Sequence, residues 1–249
     1  MSGPEVVFDR VIKRYGGRAA VDGVSLTIAA GSFTALVGTS GSGKSTLLKT
    51  VNRLVEPDEG RVTIGGEDVT AGDAALLRRR IGYVFQHVGL FPHLRVAENI
   101  AMIPRLSGGT VNVAALLEQV GLPADYAARF PRALSGGEQQ RVGVARAIAG
   151  GAALMLMDEP LGAIDPVTRA AIGEEYRALH DRLGLTTIMV THDMAEALLM
   201  ADRVLVMAHG RVVADATPQV LLAGEAGPEA AALIAVPRRQ AERLRELGG

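Results

Sequence analysis

A glycine-rich run, GTSGSGKST at residues 38–46, has the residue types and the spacing that hold the phosphates of a nucleotide. Its glycines let backbone N–H groups approach phosphate oxygens, Lys44 brings a cation to the β and γ oxygens, and the Ser45 hydroxyl suits Mg²⁺. The predicted phosphate contacts are Gly38, Thr39, Ser40, Gly41, Ser42, Gly43, Lys44, Ser45 and Thr46. Because ATPases, GTPases and small-molecule kinases all use such a run, it predicts the ligand and leaves the reaction open.

A second candidate anion site, LSGGEQQR at residues 134–141, lies far along the chain from the first. A serine and two glycines at the start of a helix offer backbone N–H groups and the partial positive charge of the helix end. We predict anion contacts from Ser135 and Gly137, with Gly136 and Glu138 beside them. If each run holds one face of the same triphosphate, two copies of the chain must meet with the nucleotide between them.

Four polar residues follow apolar runs that read as strands, and we predict that they act together on a bound nucleotide. In LMLMDEP at residues 154–160, Asp158 is the predicted Mg²⁺ ligand and Glu159 the predicted general base for an attacking water. Gln86, after IGYVF, is predicted to touch Mg²⁺ and that water, and His192, after TTIMV, to reach the γ-phosphate. Taken without the upstream glycine-rich run, a solvated acidic pair and a structural histidine would be the simpler interpretations.

Two further residues have both a structural and a functional interpretation. Tyr15 precedes the glycine-rich run, so its ring could stack on adenine or pack on the adjacent turn. Asp165 is predicted to cap the helix that begins at Pro166, and it could also bridge to the site of an opposite subunit. Asp193 is predicted only as the N-cap of the helix that follows it.

The elements that must position these residues form one unit with two lobes. A β-rich layer is predicted from short strands before and after a helix at residues 44–54. The strands are at residues 6–12, 24–28 and 33–37 before the helix and at residues 61–64 after it. Residues 88–149 read as helical segments, at residues 96–102, 113–120, 125–130 and 137–149. Strands alternate with helices from residue 153 onward, which predicts a parallel central sheet, and a tail helix is expected from Pro228 to Leu247.

Composition limits the class of protein. The chain has 249 residues, of which 48% are hydrophobic, so it can bury a substantial core. A formal net charge of −1 gives no basic field for general nucleic-acid binding, and the absence of cysteine excludes disulfides. The first residues lack a signal-peptide pattern, and the most apolar stretch, residues 142–157, is too short and broken to cross a bilayer, so we expect a cytoplasmic location.

From near its start to about Pro218 the chain resembles the ATP-binding cassette (ABC) transporter ATPase family. The family's functional segments fall on Tyr15 (A-loop), residues 38–46 (Walker A), Gln86 (Q-loop), residues 134–141 (signature), residues 155–159 (Walker B), Asp165 (D-loop) and His192 (switch). The resemblance implies an α/β, P-loop NTPase-like cassette: a RecA-like core with a mostly parallel sheet, an N-terminal antiparallel β layer and an inserted helical subdomain. It also implies ATP and Mg²⁺ as ligands, and head-to-tail pairing of two cassettes.

On this basis residues 1–249 are predicted to be a single ABC ATPase domain. The core and β layer would comprise residues 1–87 and 150–225, the helical subdomain residues 88–149 and the C-terminal helical tail residues 226–249. Gly162 departs from the family, in which many members have serine at that place in the D-loop.

Longer stretches around these motifs are similar to the cassette subunits of bacterial importers for glycine betaine, choline and related osmoprotectants. That similarity implies an ATPase at the cytoplasmic face of the membrane, bound to integral permease subunits through the surface from Gln86 to His93, and served indirectly by an extracytoplasmic solute-binding protein. The alternatives are an importer for another small solute, such as an amino acid or polyamine, an exporter, or a soluble cassette protein. A P-loop kinase would leave LSGGEQQR unexplained.

Overall fold

Two β-sheets with a helix between them form the body of the chain. The structure, a computed structural model, describes residues 2–86, 88–162, 164–235 and 243. The strands are β1 (Val6–Tyr15), β2 (Arg18–Ile28), β3 (Phe33–Val37), β4 (Glu59–Ile64), β5 (Glu67–Asp68), β6 (Ile81–Val84), β7 (Leu154–Asp158), β8 (Thr186–Val190), β9 (Arg203–Ala208) and β10 (Arg211–Ala216). The α-helices are α1 (Lys44–Val51), α2 (Ala74–Arg79), α3 (Val96–Ile100), α4 (Met102–Leu106), α5 (Val113–Gln119), α6 (Gly136–Ile148), α7 (Pro166–Leu183), α8 (Met194–Met200) and α9 (Pro218–Ala223).

The strand order separates an antiparallel sheet from a mostly parallel one. The antiparallel sheet has the order β2-β1-β4-β5, and the central sheet has the order β10-β9-β3-β8-β7-β6. In the central sheet β3, β6, β7, β8 and β9 pair in parallel, and β10 joins β9 at one edge in the antiparallel sense. The predicted α/β fold class, with its mostly parallel sheet and antiparallel β layer, is confirmed.

Alternate residues of the central strands face two different cores. Leu36 and Ile188 point into a cluster shared with α1 and the antiparallel sheet, whereas Ala35 and Met189 point into a cluster shared with α3, α5, α6 and α7. Helix α1 is fixed between the two sheets by fully buried Leu47. Burying one such leucine contributes about 1.5 to 3 kcal/mol. The loop between β3 and α1 is therefore held rigidly at both ends.

Two predicted strands have the expected bounds, the other strands of the β-rich layer are longer than predicted, and α1 is shorter. Strands β3 and β8 begin and end where the sequence predicts. The helix predicted at residues 96–102 is instead two helices, α3 and α4, because Pro104 has no N–H to donate to the carbonyl of Ile100. The helix predicted at residues 125–130 is a 3₁₀ turn, Ala124–Ala128, confined between Pro123 and Pro131.

The predicted tail helix is described in part. Residues 228–235 are helical, and the prediction for residues 236–242 and 244–249 lies outside the described residues. In the part of the chain that the structure describes, no helix is long and apolar enough to span a membrane.

Candidate active site

The glycine-rich run forms a loop between β3 and α1, called the phosphate loop below, and its glycines have two different roles. Gly38 has φ 151° and Gly43 has φ 104°. A Cβ at Gly38 would lie 2.2 Å from the carbonyl oxygen of Met207, and one at Gly43 would lie 2.1 Å from that of Ala20. Gly41, with φ 78°, has open space where a Cβ would be. Two glycines thus let the loop pack on β9 and β2, while the third leaves its backbone open to a ligand.

Lys44 is the first residue of α1, and its side chain reaches back into this loop. Its side chain is 5% exposed, and Nζ donates hydrogen bonds to the carbonyl oxygens of Gly38 at 2.8 Å and Thr39 at 2.9 Å. Burial lowers the pKa of Lys44, and the charges of Glu159 and Asp158 act against that shift by favouring the ammonium form. An ammonium with three rotatable donors can exchange such carbonyl contacts for phosphate oxygens.

Ser45 and Asp158 meet at the start of α1. The Ser45 hydroxyl donates to Asp158 Oδ1 at 2.7 Å, while Oδ2 accepts a hydrogen bond from Tyr83 at 3.3 Å and lies 3.1 Å from Lys49 Nζ. Among the described residues, no group of three or more His, Cys, Asp or Glu side chains could hold a metal. Mg²⁺ in nucleotide sites uses one or two protein oxygens together with phosphates and waters, so a hydroxyl touching a carboxylate fits it.

The ends of β6, β7 and β8 bring three predicted catalytic residues together. Glu159 Oε2 accepts a hydrogen bond from Gln86 Nε2 at 3.0 Å and lies 3.2 Å from His192 Nδ1. The Glu159 backbone has φ 49°, an uncommon value for a residue with a side chain, and its N–H donates to the Val190 carbonyl at 2.9 Å. The carboxylate is therefore aimed by one strained backbone position and two side-chain partners.

Tyr15 borders a cavity next to the phosphate loop. The cavity has a volume of about 320 Å³, and Tyr15, Arg18, Gly41 and His209 are among its lining residues. The Tyr15 side chain is 52% exposed, so its ring is accessible to an aromatic base. His209 was not predicted from the sequence, because it lies in the turn between β9 and β10 of the central sheet. That turn reaches the antiparallel sheet at β2, where the Asp22 N–H donates to the Gly210 carbonyl at 2.9 Å.

Residues 134–141, called the signature below, include the N-cap and the first residues of α6, as the sequence predicts. Ser135 is the N-cap, and the Glu138 carboxylate accepts hydrogen bonds from the Ser135 N–H at 2.7 Å and from the Tyr126 hydroxyl at 2.7 Å. A Cβ at Gly137 would touch Thr168 of α7 at 3.0 Å, whereas Gly136 faces open space. In the described chain, the side-chain hydrogen bonds of Ser135 and Glu138 do not reach the phosphate loop.

Asp165 and Asp193 are helix caps, as predicted. The Asp165 side chain accepts a hydrogen bond from the Thr168 N–H at 3.0 Å, and Asp193 accepts one from the Ala195 N–H at 2.8 Å. The second role of Asp165, contact with another subunit, stays a prediction. A Cβ at Gly162 would lie 3.6 Å from Glu159 Oε2, so the segment before α7 passes beside the candidate base.

A glycine loop between a strand and a helix, a lysine at the start of that helix, and carboxylates at the end of another parallel strand of the same sheet define a P-loop NTPase. The family model described as ABC transporter matches residues 21–162. The chain belongs to the ABC transporter family. It is an ATPase of that family, as the sequence predicts, and ATP is its nucleotide.

Two relatives illustrate the similarity. The glycine betaine uptake system ATP-binding protein YehX of Escherichia coli K12 is 46% identical over 87% of this chain and 72% of its own length. The sulfate/thiosulfate import ATP-binding protein CysA 2 of Chromobacterium violaceum is 47% identical over 83% of this chain and 57% of its own length. Relatives named for carnitine, choline or osmoprotectant transport are 43% to 45% identical. The chain spans 55% to 58% of the length of those relatives.

A solved structure also matches most of the fold. The dimeric structure of the ATP-binding cassette MJ0796 in a post-hydrolysis state, bound to ADP and Pi, has a TM-score of 0.76 and 32% identity. The match covers 86% of this chain and 98% of the cassette.

Proposed function

We propose that this chain is the ATP-hydrolysing subunit of an importer for quaternary-amine solutes such as glycine betaine, choline or carnitine. The assignment of ATP hydrolysis is supported most directly by the contact of Glu159 with both Gln86 and His192. The solute class is supported by the relatives named for uptake of glycine betaine, choline and carnitine. It rests on those relatives alone, because the residues of an ATPase site do not touch cargo.

The residues divide the work of hydrolysis. Lys44 and the open backbone around Gly41 hold the β- and γ-phosphates. Ser45 and Asp158, with Gln86 beside them, are the side chains that would hold Mg²⁺, which neutralises charge on the phosphates. Glu159 accepts a proton from the water that attacks the γ-phosphorus, while the bond from that phosphorus to the leaving ADP oxygen breaks. His192 contacts the γ-phosphate and keeps the Glu159 carboxylate in place.

Two cassettes pair head to tail in this proposal, and ATP lies between them. The phosphate loop of one cassette and residues Ser135–Glu138 of the other hold opposite faces of the nucleotide, with Asp165 at the junction. The start of α6 supplies N–H groups for an anion, and within the described chain the hydrogen bonds of its first side chains stay away from the phosphate loop. The dimeric state of the similar cassette MJ0796 supports pairing.

Integral permease subunits dock on the surface between Gln86 and His93 in this proposal, at the cytoplasmic face of the membrane. Phe85 directly precedes this surface and Phe91 lies within it, and they are 44% and 42% exposed. Exposed aromatic side chains are typical of protein interfaces. A solute-binding protein outside the membrane would deliver cargo to the permease and act on this chain indirectly. The net charge of −1 offers no support for a nucleic-acid partner.

Transport by the reconstituted complex tests the proposal. The chain is combined with its permease subunits and solute-binding protein in vesicles, and ATP-dependent uptake of labelled glycine betaine, choline and sulfate is measured. We expect uptake of the two quaternary amines. Glu159→Gln should abolish uptake and slow hydrolysis by about 10²- to 10⁴-fold while ATP binding is retained, because the amide cannot accept the proton. Hydrolysis at the wild-type rate by that variant would contradict the role of Glu159.

Sulfate is the second candidate cargo, because the relative CysA 2 is 47% identical to this chain where the two align, against 46% for the glycine betaine relative. Sulfate uptake without amine uptake would assign the chain to that class and leave the hydrolytic mechanism unaffected. Uptake of none of the three solutes, with ATP hydrolysis intact, would contradict both cargo assignments.

A further inference from the structure

Arg169, in the first turns of α7, joins two segments of the active site. Its Nη2 donates a hydrogen bond to the carbonyl oxygen of Ile164 at 3.0 Å. Its Nη1 lies 3.3 Å from Asp193 Oδ2, and its Nε lies 3.6 Å from Glu196 Oε1. A planar guanidinium is suited to such a role because its donors are fixed in one fork. Arg169 thus ties the segment before α7 to the first turn of α8.

His192 lies inside the same network, between two residues that the network fixes. The Thr191 hydroxyl donates to Glu196 Oε2 at 2.6 Å and accepts a hydrogen bond from the Asp193 N–H at 3.0 Å. Asp193 in turn caps α8. The backbone on both sides of His192 is therefore anchored to the two carboxylates that Arg169 contacts.

The charges explain why this anchor needs a cation. The side chain of Glu196 is 9% exposed, and burial raises its pKa, whereas Arg169 and the Thr191 hydrogen bond favour the ionised form. Asp193 adds a second carboxylate close by, and its charge also raises the pKa of Glu196. Removing Arg169 would leave two carboxylates next to each other at the start of α8, and like charges at short distance repel.

We propose that Arg169 is a positioning residue for His192: it holds the turn from Thr191 to Asp193 so that the imidazole stays at Glu159. Because Arg169 also holds the Ile164 carbonyl, the segment that leads to Asp165 is linked to His192 through one side chain. This inference rests on the proposed role of His192 in hydrolysis.

The test compares Arg169→Met with Arg177→Met. Arg177 is a matched control on the same helix: it contacts Asp181, Asp202 and the Met200 carbonyl, and its side chain is 30% exposed against 26% for Arg169. We expect Arg169→Met to lower kcat for ATP hydrolysis by about tenfold with KM for ATP little changed, and Arg177→Met to leave kcat unchanged. Arg169→Lys should recover only part of the rate, because an ammonium cannot replace the fork. An equal loss in both methionine variants would overturn the proposal.

A double-mutant cycle with His192→Ala separates positioning from a general structural effect. If Arg169 acts through His192, Arg169→Met should cause no further loss of kcat in the His192→Ala background. A full tenfold further loss there would overturn the proposal. If His192→Ala itself hydrolyses ATP at the wild-type rate, the proposed role of His192 fails instead, and with it the basis of this inference.

A measurement without hydrolysis gives an independent readout. The chain has five histidines, so the imidazole signal of His192 in an NMR spectrum of the full chain can be assigned by its loss in His192→Ala. Arg169→Met should shift this signal, and Arg177→Met should leave it in place. An unshifted His192 signal in Arg169→Met, with the chain folded, would overturn the proposal.

Discussion

Glu138 shows how one carboxylate sets the charge at the start of the signature helix. It accepts hydrogen bonds from the Tyr126 hydroxyl, the Ser135 N–H and the Ser135 hydroxyl. The Tyr126 hydrogen bond, followed by that of the Ser135 N–H, keeps the pKa of Glu138 below its usual value. Glu138 is therefore ionised at neutral pH, beside the N–H groups that we propose contact the nucleotide of a paired cassette.

Tyr126→Phe should raise the pKa of Glu138 toward its usual value of 4.5, because it removes the largest cause of the shift. A carboxyl group whose pKa is lowered on folding stabilises the fold above its unfolded pKa, and that contribution is lost as pH falls through the folded pKa. The stability difference between wild type and Tyr126→Phe should therefore shrink as the pH falls below about 4.5. A carboxyl ¹³C NMR titration measures the shift, and an unchanged Glu138 pKa would contradict it.

Gly43 and Gly41 of the phosphate loop are needed for different reasons, one for packing and one for backbone conformation alone. Gly43→Ala places a methyl group against the Ala20 carbonyl and keeps a positive φ, whereas Gly41→Ala keeps a positive φ in open space. We expect Gly43→Ala to lower the free energy of unfolding by about 2 to 4 kcal/mol and Gly41→Ala by about 1 kcal/mol. Urea denaturation of both variants measures the difference. Equal losses would show that packing on β2 does not determine the need for Gly43.

The same elements show which features are visible in the sequence. β3 (FTALV) and β8 (TTIMV) are short runs of apolar and β-branched residues, with Gly38 directly after β3 and Gly184 shortly before β8, so their bounds can be predicted. Helix α2 was not predicted because none of its residues is buried, and a helix without a buried face has little hydrophobic periodicity. Its one local signal is Asp73, which accepts hydrogen bonds from the Ala75 and Leu76 N–H groups.

Some contacts in the candidate site could likewise be expected from the sequence, and others could not. Gln86, Glu159 and His192 could be expected to meet, because the carboxyl ends of parallel strands share one edge of a sheet. Their juxtaposition in the structure agrees with that expectation. The contacts of Lys49 with Asp158 and of Arg169 with Asp193 could not be expected from the sequence. Each joins residues that are distant in sequence, through side chains that occur equally often on exposed helix faces.

At the scale of the whole molecule, the two anion sites of the chain imply an assembly. Lys44 and Ser45 lie together with the carboxylate of Asp158 at the phosphate loop. The described hydrogen bonds of Ser135 and Glu138 do not reach that loop. The Ser135 hydroxyl is held by Glu138 within its own helix. A second cassette is the simplest source of a phosphate for that hydroxyl, and ATP would then be part of the interface.

ATP should therefore control the oligomeric state, and Ser135 should contribute to it. In sedimentation velocity experiments we expect the Glu159→Gln chain to be monomeric without nucleotide and dimeric with ATP, because this variant hydrolyses bound ATP only slowly. Adding Ser135→Ala should raise the dimer Kd about ten- to hundredfold, since it removes a hydrogen bond to a charged phosphate. Adding Asn112→Ala instead removes the N-cap of α5, which lies outside the signature, and should leave pairing unchanged. Equal pairing of the Ser135→Ala and Asn112→Ala chains would contradict a contact between the signature and the nucleotide of the opposite cassette.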